Sequence, residues 1–299
     1  SLLDRLRIPA SMLPSVVDST GVIGEATALP GAPPICGLAG DQQASLVGQA
    51  CVEPGLGKIT FGTGGMLDVC VGPRPPFATR GPGGTFPIVC WSQDGAATWG
   101  VEAVMLSAGT NVEWLRDDLG VIPGAASSAE VAASVPDTDG VTYVPALLGL
   151  GTPIWDYGAR GALLGLTRGT TSAHIVRAVL EGVAQRGADL VEAAETDGAL
   201  RIDALRIDGG MSANPLFVQA LADATQRPIE VSPVLEATTL GAGFLAGLAT
   251  GVWGTWGDLA STWAPKVRVE PAGSVDRDRW HEAVERSREW FADLSALDF

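Results

Sequence analysis

Three glycine-bearing segments carry side chains that could do chemistry. The first reads Gly37-Leu38-Ala39-Gly40-Asp41-Gln42-Gln43. An apolar, strand-like run ends there in two glycines, and a carboxylate follows at once. Glycine lets backbone and ligand approach closely, and the end of a strand is where sites on α/β sheets gather. Taken alone, Asp41 also reads as a helix N-cap. The second segment, Phe61-Gly62-Thr63-Gly64-Gly65, lies between two strand-like runs. Its backbone N–H groups and the Thr63 hydroxyl could face a phosphate, although an ordinary glycine hairpin has the same composition. The third, Asp208-Gly209-Gly210-Met211-Ser212-Ala213-Asn214, joins a strand to a helix. A turn at a helix N-terminus suits an anion, and a plain strand-to-helix connection fits as well. It is not Gly-x-Gly-x-x-Gly, so the dinucleotide fingerprint is absent.

These segments need elements to hold them. Short runs rich in Val, Ile, Thr and aromatics (PICGLAG, GKITFGTG, MLDVCVG, FPIVCWS and TWGVEA) predict a group of strands. A helix is expected around Val104 to Asp118 and a strand at 142–148. From GALLGL onward the rhythm changes to alternating strand and helix. SAHIVRAVLEGVAQRGADLVEAAE predicts a long helix with Ile175, Val179, Val183 and Leu190 on one face. NPLFVQALADATQ predicts a helix with Asn214 as N-cap and Pro215 at its first position. ATTLGAGFLAGLATGVW predicts a small-residue helix. SVDRDRWHEAVERSREWFADLSAL predicts a last helix with the stripe Trp280, Val284, Ser287, Phe291 and Leu294. Residues 1–34 are broken by Pro9, Pro14, Pro30, Pro33 and Pro34 and read as irregular. Strands first and helix–strand alternation after predict one layered α/β domain.

Composition narrows the function classes. The 299-residue chain has 46% apolar and only 18% charged residues, enough for a sizeable core and against long disordered tracts. A net charge of −15 repels nucleic acid and anionic lipid, so neither is expected as a partner. The cysteines Cys36, Cys51, Cys70 and Cys90 form no CxxC pair, and His174 and His281 are far apart, so no metal site is expected from them. Buried free thiols and a reducing, cytoplasmic setting fit this pattern. No run of about 18 apolar residues is present to span a membrane. The chain opens without Met inside an amphipathic pattern (Leu2, Leu3, Leu6) and reads as a piece of something longer.

Together the segments are far more specific than any one of them. GLAGDQQASLVGQ, ITFGTGGML, VEWLRDDLG, GLGTPIWDYGARGALLGLTRG and RIDGGMSANPLFVQALAD resemble, in order, segments of the FGGY family of carbohydrate kinases. Gly161 to Leu166, continuing through His174-Ile175 to Ala178-Val179-Leu180-Glu181, fits a signature of that family. The likeness runs from about residue 28 to about residue 265. Within the family, GLGTPIWD and VEWLRDD are most similar to the glycerol kinases.

The resemblance implies an α/β, ribonuclease-H-like (actin-like ATPase) domain with a mixed sheet flanked by helices. It divides the chain into a connector, residues 1–34, from a missing N-terminal lobe, and a C-terminal, nucleotide-binding domain, residues 35–299. It implies ATP and Mg2+ as cofactors and a small polyol or sugar as acceptor, glycerol first, with xylulose or another sugar as the alternative. A catalytically silent nucleotide-binding module is a further alternative, and a homo-oligomer is compatible with all three. Asp41 matches the general base and Gln42 a substrate-binding position. Met66 stands where glycerol kinases often carry an aromatic that packs on the polyol. Thr63, Gly109, Glu113, Gly210 and Asn214 match nucleotide contacts. The Glu113 position is often an amide in glycerol kinases; an ionised carboxylate accepts hydrogen bonds but cannot donate them. The family's N-terminal lobe supplies a second phosphate loop, a metal-linked Asp and most acceptor contacts, and no such segment is present. An acidic chain that binds ATP must rely on local backbone N–H groups and a metal rather than its overall field.

Overall fold

The computed structural model describes residues 2–297. A short helix α1 (Leu2–Leu6) precedes a hairpin of β1 (Thr20–Glu25) and β2 (Pro34–Gly37), and α2 (Asp41–Gly48) follows. Then come β3 (Gly57–Phe61), β4 (Gly65–Gly72), β5 (Phe86–Gln93) and β6 (Ala96–Met105), with helices α3 (Thr110–Asp117) and α4 (Ser128–Ala133). A second hairpin pairs β7 (Thr142–Val144) with β8 (Ala162–Leu164). The rest alternates: α5 (Ser172–Gly198), β9 (Leu205–Asp208), α6 (Pro215–Thr225), β10 (Ile229–Val231), α7 (Ala237–Ala249), α8 (Trp256–Ala260), β11 (Val267–Val269), α9 (Arg277–Ser287) and α10 (Ala292–Ser295).

Seven strands form one mixed sheet in the order β11-β10-β9-β3-β4-β6-β5. β3, β9 and β10 are parallel; the other pairs are antiparallel. The two sides of this sheet differ because side chains alternate along a strand. Ile59, Phe61, Leu67, Val69, Val101, Ala103, Met105, Leu205 and Ile207 are buried in one core with α5 and α6. The opposite side carries Lys58, Thr60, Asp68, Glu102, Arg206 and Asp208, roofed partly by α2. Lys58 bonds Gln42 and Ser45 bonds Asp208 from that helix. Farther along this side, Cys70, Cys90 and Trp91 pack with Leu46, Val47, Phe244 and Leu245 in a second core. All four cysteines are free and buried. A third core joins Val144, Ala146 and Leu150 to Trp280 and Val284 of α9.

The expected mixed sheet with flanking helices is present, and three local readings change. The stretch read as irregular contains β1, pinned by Thr20 Oγ1 donating to the Leu245 carbonyl (2.6 Å) and by the Ser19–Ser92 bonds. The helix expected from Val104 begins only at Thr110, because 104 and 105 complete β6. The last helix breaks after Ser287, with Arg288 extended and Glu289 at φ 53°. Asp156 accepts from Glu289 N (2.8 Å) and Gly158 O accepts from Phe291 N, so long-range bonds replace the helical ones. Phe291 and Leu294 therefore leave the buried stripe, and Trp290 is 70% exposed. No helix among the described residues is long and apolar enough to cross a membrane.

Candidate nucleotide and acceptor site

β3, β6 and β9 run in one direction, since β4 is antiparallel to both β3 and β6 and β9 is parallel to β3. Their C-terminal ends therefore deliver three turns to one edge: Gly62–Gly65, 106–109 and Gly209–Asn214. This is the edge where α/β sheets place ligands. The turns touch through backbone. Gly62 and Thr63 carbonyls accept from Gly109 N and Ala108 N, both at 2.8 Å. A Cβ on Gly109 would lie 2.5 Å from the Gly62 carbonyl oxygen, so only glycine permits the approach. Buried Asn111 fixes the middle turn by donating to the Ser107 and Ala108 carbonyls and accepting from Tyr143 Oη (2.8 Å).

Between the turns lies a cleft of about 500 Å3. Thr63, Gly109, Glu113, Gly210 and Asn214 all line it, so five residues singled out across 152 positions meet at one place. Phe61, Val112, Leu180 and Met211 supply apolar walls. Sequence reading missed Arg116, Ala125, Ala126 and Ser128, which also line it. Arg116 holds Asp117 through two bonds of 2.6 Å and also borders the cleft. Ala125 and Ala126 reach the cleft from a 3-10 turn before α4, and Ser128 opens α4, an arrangement that no periodicity encodes.

Asn214 acts first as a helix cap. Its Oδ1 accepts from Leu216 N (3.0 Å) and Phe217 N (3.1 Å), and its Nδ2 donates to Ser128 Oγ (3.1 Å). Those two N–H groups of α6 are thus engaged within the chain. The expectation that this helix end greets an anion with its own N–H groups is reduced to that extent; Asn214 closes the cleft by tying α6 to α4.

Asp41, Gln42 and Met66 do not line this cleft. Asp41 opens α2 on the polar side of the sheet, exposed, with its Oδ1 accepting from Gln42 N (2.8 Å). One turn on, Ser45 Oγ donates to Asp208 Oδ2 (3.3 Å), two residues before Gly210. So α2 begins beside the same strand ends, across β3 and β9 from the cleft. Met66 is half-buried on β4, opposite Thr60. Below Asp41 lies a buried ion pair, Lys58 Nζ to Asp68 Oδ2 at 2.8 Å. Across the strand pair, burial, reinforced by the Asp68 charge, pushes the Glu102 carboxyl up to about 6; Lys58 opposes this and Asp41 adds to it.

A sheet of this order, with a cleft at the ends of like-directed strands, defines an α/β ligand-binding domain. Residues 57–250 match the model of the C-terminal domain of the FGGY family of carbohydrate kinases. The chain is 46% identical over 299 residues to a glycerol kinase of Aromatoleum aromaticum, covering 98% of this chain and 60% of that protein. It is 44% identical to glycerol kinase 2 of Thermotoga maritima, covering 97% and 59%. Among solved structures, Plasmodium falciparum glycerol kinase with ADP superposes with a TM-score of 0.86 at 30% identity, over 96% of this chain and 58% of that one. A xylulose kinase of Rhodospirillum rubrum superposes with 0.78 at 25%, over 95% and 58%. The chain belongs to the FGGY family of carbohydrate kinases and shares their actin-like ATPase fold. It spans about 60% of the length of the curated relatives it matches.

Proposed function

We propose that this chain is the nucleotide-binding lobe of an ATP-dependent polyol kinase that converts glycerol to glycerol 3-phosphate. The observation that carries the reading is the meeting of Thr63, Gly109, Glu113, Gly210 and Asn214 in one cleft. The glycerol kinases at 44–46% identity favour glycerol over xylulose, whose kinase is less similar at 25%. In this reading the nucleotide lies along the cleft, its base end near Gly210 and Asn214 and its phosphates toward Thr63. Asp41 takes the proton of the acceptor hydroxyl. The hydroxyl oxygen then attacks the γ-phosphorus, the bond to the β-phosphate oxygen breaks, and ADP leaves. Catalysis of this kind is mainly positioning and charge stabilisation, and Gln42 and Met66 belong to the acceptor side.

Magnesium is the expected companion of ATP. Glu113 is the one carboxylate-bearing residue among those lining the cleft. The trio Asp189, Glu192 and His281 lies in another cavity and already holds Arg277. Among the described residues, those lining the cleft form no protein cage for the ion beside the nucleotide. Residues 1–34 lead in from an N-terminal lobe, cytoplasmic like the rest, that would complete the acceptor pocket.

The test is a coupled ADP-release screen over polyols and sugars, with this chain joined to the N-terminal portion that its relatives carry. Turnover with glycerol well above that with xylulose is expected. Preference for a sugar would move the acceptor assignment, and nucleotide binding without turnover on any acceptor would favour a silent module.

A further inference from the structure

We propose that Lys58 is a positioning residue of the acceptor site, fixing the Gln42 carboxamide so that its NH2 group is presented to an oxygen of the acceptor. Lys58 is wholly buried, and its ammonium meets three acceptors: Gln42 Oε1 at 2.6 Å, Asp68 Oδ2 at 2.8 Å and Thr60 Oγ1 at 3.0 Å. An ammonium has three hydrogens and accepts nothing. Lys58 is fully buried, with two hydrogen bonds and one ion pair inside the chain, so it acts on a ligand through Gln42. The same chemistry settles which end of the amide faces it. A donor-only group selects the carbonyl oxygen, so the Gln42 nitrogen is turned away from Lys58. An amide free to flip would offer donor and acceptor ends alternately, whereas a fixed one offers donors to a polyol hydroxyl's lone pairs.

The cost of the arrangement argues that it does more than hold strands together. Lys58 and Asp68 face each other across β3 and β4, where two apolar residues would pack without burying charge. Cross-strand register needs only the pair, yet the ammonium is also spent on Gln42, the residue after Asp41. Asp68 is the buried counter-charge to Lys58, and Glu102 lies opposite Asp68 on β6.

The inference rests on the reading of Gln42 as an acceptor contact, and the test separates the two. In the joined enzyme, with glycerol as acceptor, Gln42→Ala, the charge-free pair Lys58→Met with Asp68→Leu, and the triple variant are compared. Replacing both partners of a buried ion pair by apolar residues of similar volume is commonly tolerated, and thermal melting checks that the fold survives. The Lys58/Asp68 variant is expected to raise the glycerol KM about tenfold, with the ATP KM within about twofold of the parent. In the Gln42→Ala background the same two substitutions are expected to add nothing, since coupled residues are non-additive. If Gln42→Ala raises the glycerol KM while the folded Lys58/Asp68 variant does not, the positioning role is overturned. Equal and additive effects overturn it too, by making the pair merely structural. A glycerol KM unmoved by Gln42→Ala overturns the acceptor assignment of Gln42, and the inference with it.

Discussion

Gly109, Gly209 and Gly210 border one site for different physical reasons, and substitution separates them. A Cβ on Gly109 would stand 2.5 Å from the Gly62 carbonyl oxygen. On Gly209, at φ 85°, it would stand 2.3 Å from that of Phe61. Both positions are required by the fold itself. At Gly210 the added Cβ would meet nothing within 4 Å, so the chain has no steric need for glycine there. A ligand does, if it lies against that backbone. Gly210→Ala is therefore expected to melt with the parent while ATP binding weakens about tenfold, or about 1.4 kcal/mol, by isothermal titration of the joined enzyme. An unchanged affinity would remove Gly210 from the site. Asp41 is separable in the same spirit. It lies across the strand ends from the cleft, so Asp41→Asn should cost about 10²–10⁴ in kcat and leave the ATP KM within about twofold. Near-parental turnover would exclude Asp41 as the base. The glycine turns were legible in sequence because a turn that must approach backbone needs glycine, whereas the roles given to Asp41, Gly109 and Gly210 rest on the family resemblance. Ala125 was not legible, because any small residue serves where the chain passes the cleft, and Ser128 was not, because its partner Asn214 is far away in sequence.

At the scale of elements, a buried polar network ties α5 to α9. Asp189 of α5 is buried and accepts from Arg186 Nη1 and Arg277 Nη2, both at 2.5 Å, and from Trp280 Nε1 at 3.1 Å. Arg186 is itself 1% exposed and spends its other arm on the Thr152 carbonyl (2.6 Å). Burial alone would push the Asp189 carboxyl up. Arg186, with His281 and Arg277, outweighs it and brings the group down to about 2; Glu192 shares Arg277. A carboxylate held below its unfolded value stabilises the fold above that value, and the contribution is lost as pH falls. From 3.8 to about 2, at about 1.4 kcal/mol per pKa unit, this amounts to about 2–3 kcal/mol. Asp189→Asn is expected to cost about 3–5 kcal/mol at neutral pH, since it strands a buried guanidinium. The deficit should grow somewhat as His281, raised by its bond to Asp189, protonates on going down from pH 7 toward 6, then hold to about pH 5 and shrink below about pH 4. Urea unfolding midpoints across that range check it; a deficit that does not shrink in acid would mean that packing, not charge, is what Asp189 supplies. None of this tie was visible as a motif, although α5 and α6 themselves were. Asn214-Pro215 announces the start of α6 because cap and first-turn chemistry are local. The break after Ser287 was hidden because Asp156 and Gly158, far away in sequence, supply the bonds that end the helix.

At the scale of the molecule, exposed apolar groups and net charge bear on what the chain does alone. Leu2, Leu6, Met12, Leu13, Val16 and Leu38 are all more than half exposed, clustered in the first 38 residues that lead toward Asp41. Thr63, Glu113 and Gly210 stand exposed at the cleft. The net charge of −15 opposes any polyphosphate that is not held by close local contacts. On the proposed reading such a lobe offers walls on which a nucleotide would lie, and closing over the phosphates and fixing the acceptor fall to the N-terminal portion that its relatives carry. Holding the reactants in line can be worth about 7–11 kcal/mol, and it is lost when water fills the gap. The isolated chain is thus expected to bind ATP weakly, to show no glycerol-dependent ADP release, and to self-associate through its apolar segment. Titration with ATP and magnesium, the ADP-release assay and light scattering test the three parts separately. Clear glycerol-dependent turnover by the chain alone would mean that the second lobe is dispensable and that residues of this chain form the whole acceptor pocket. Turnover restored only on joining the N-terminal portion would assign the missing positioning energy to closure between the lobes.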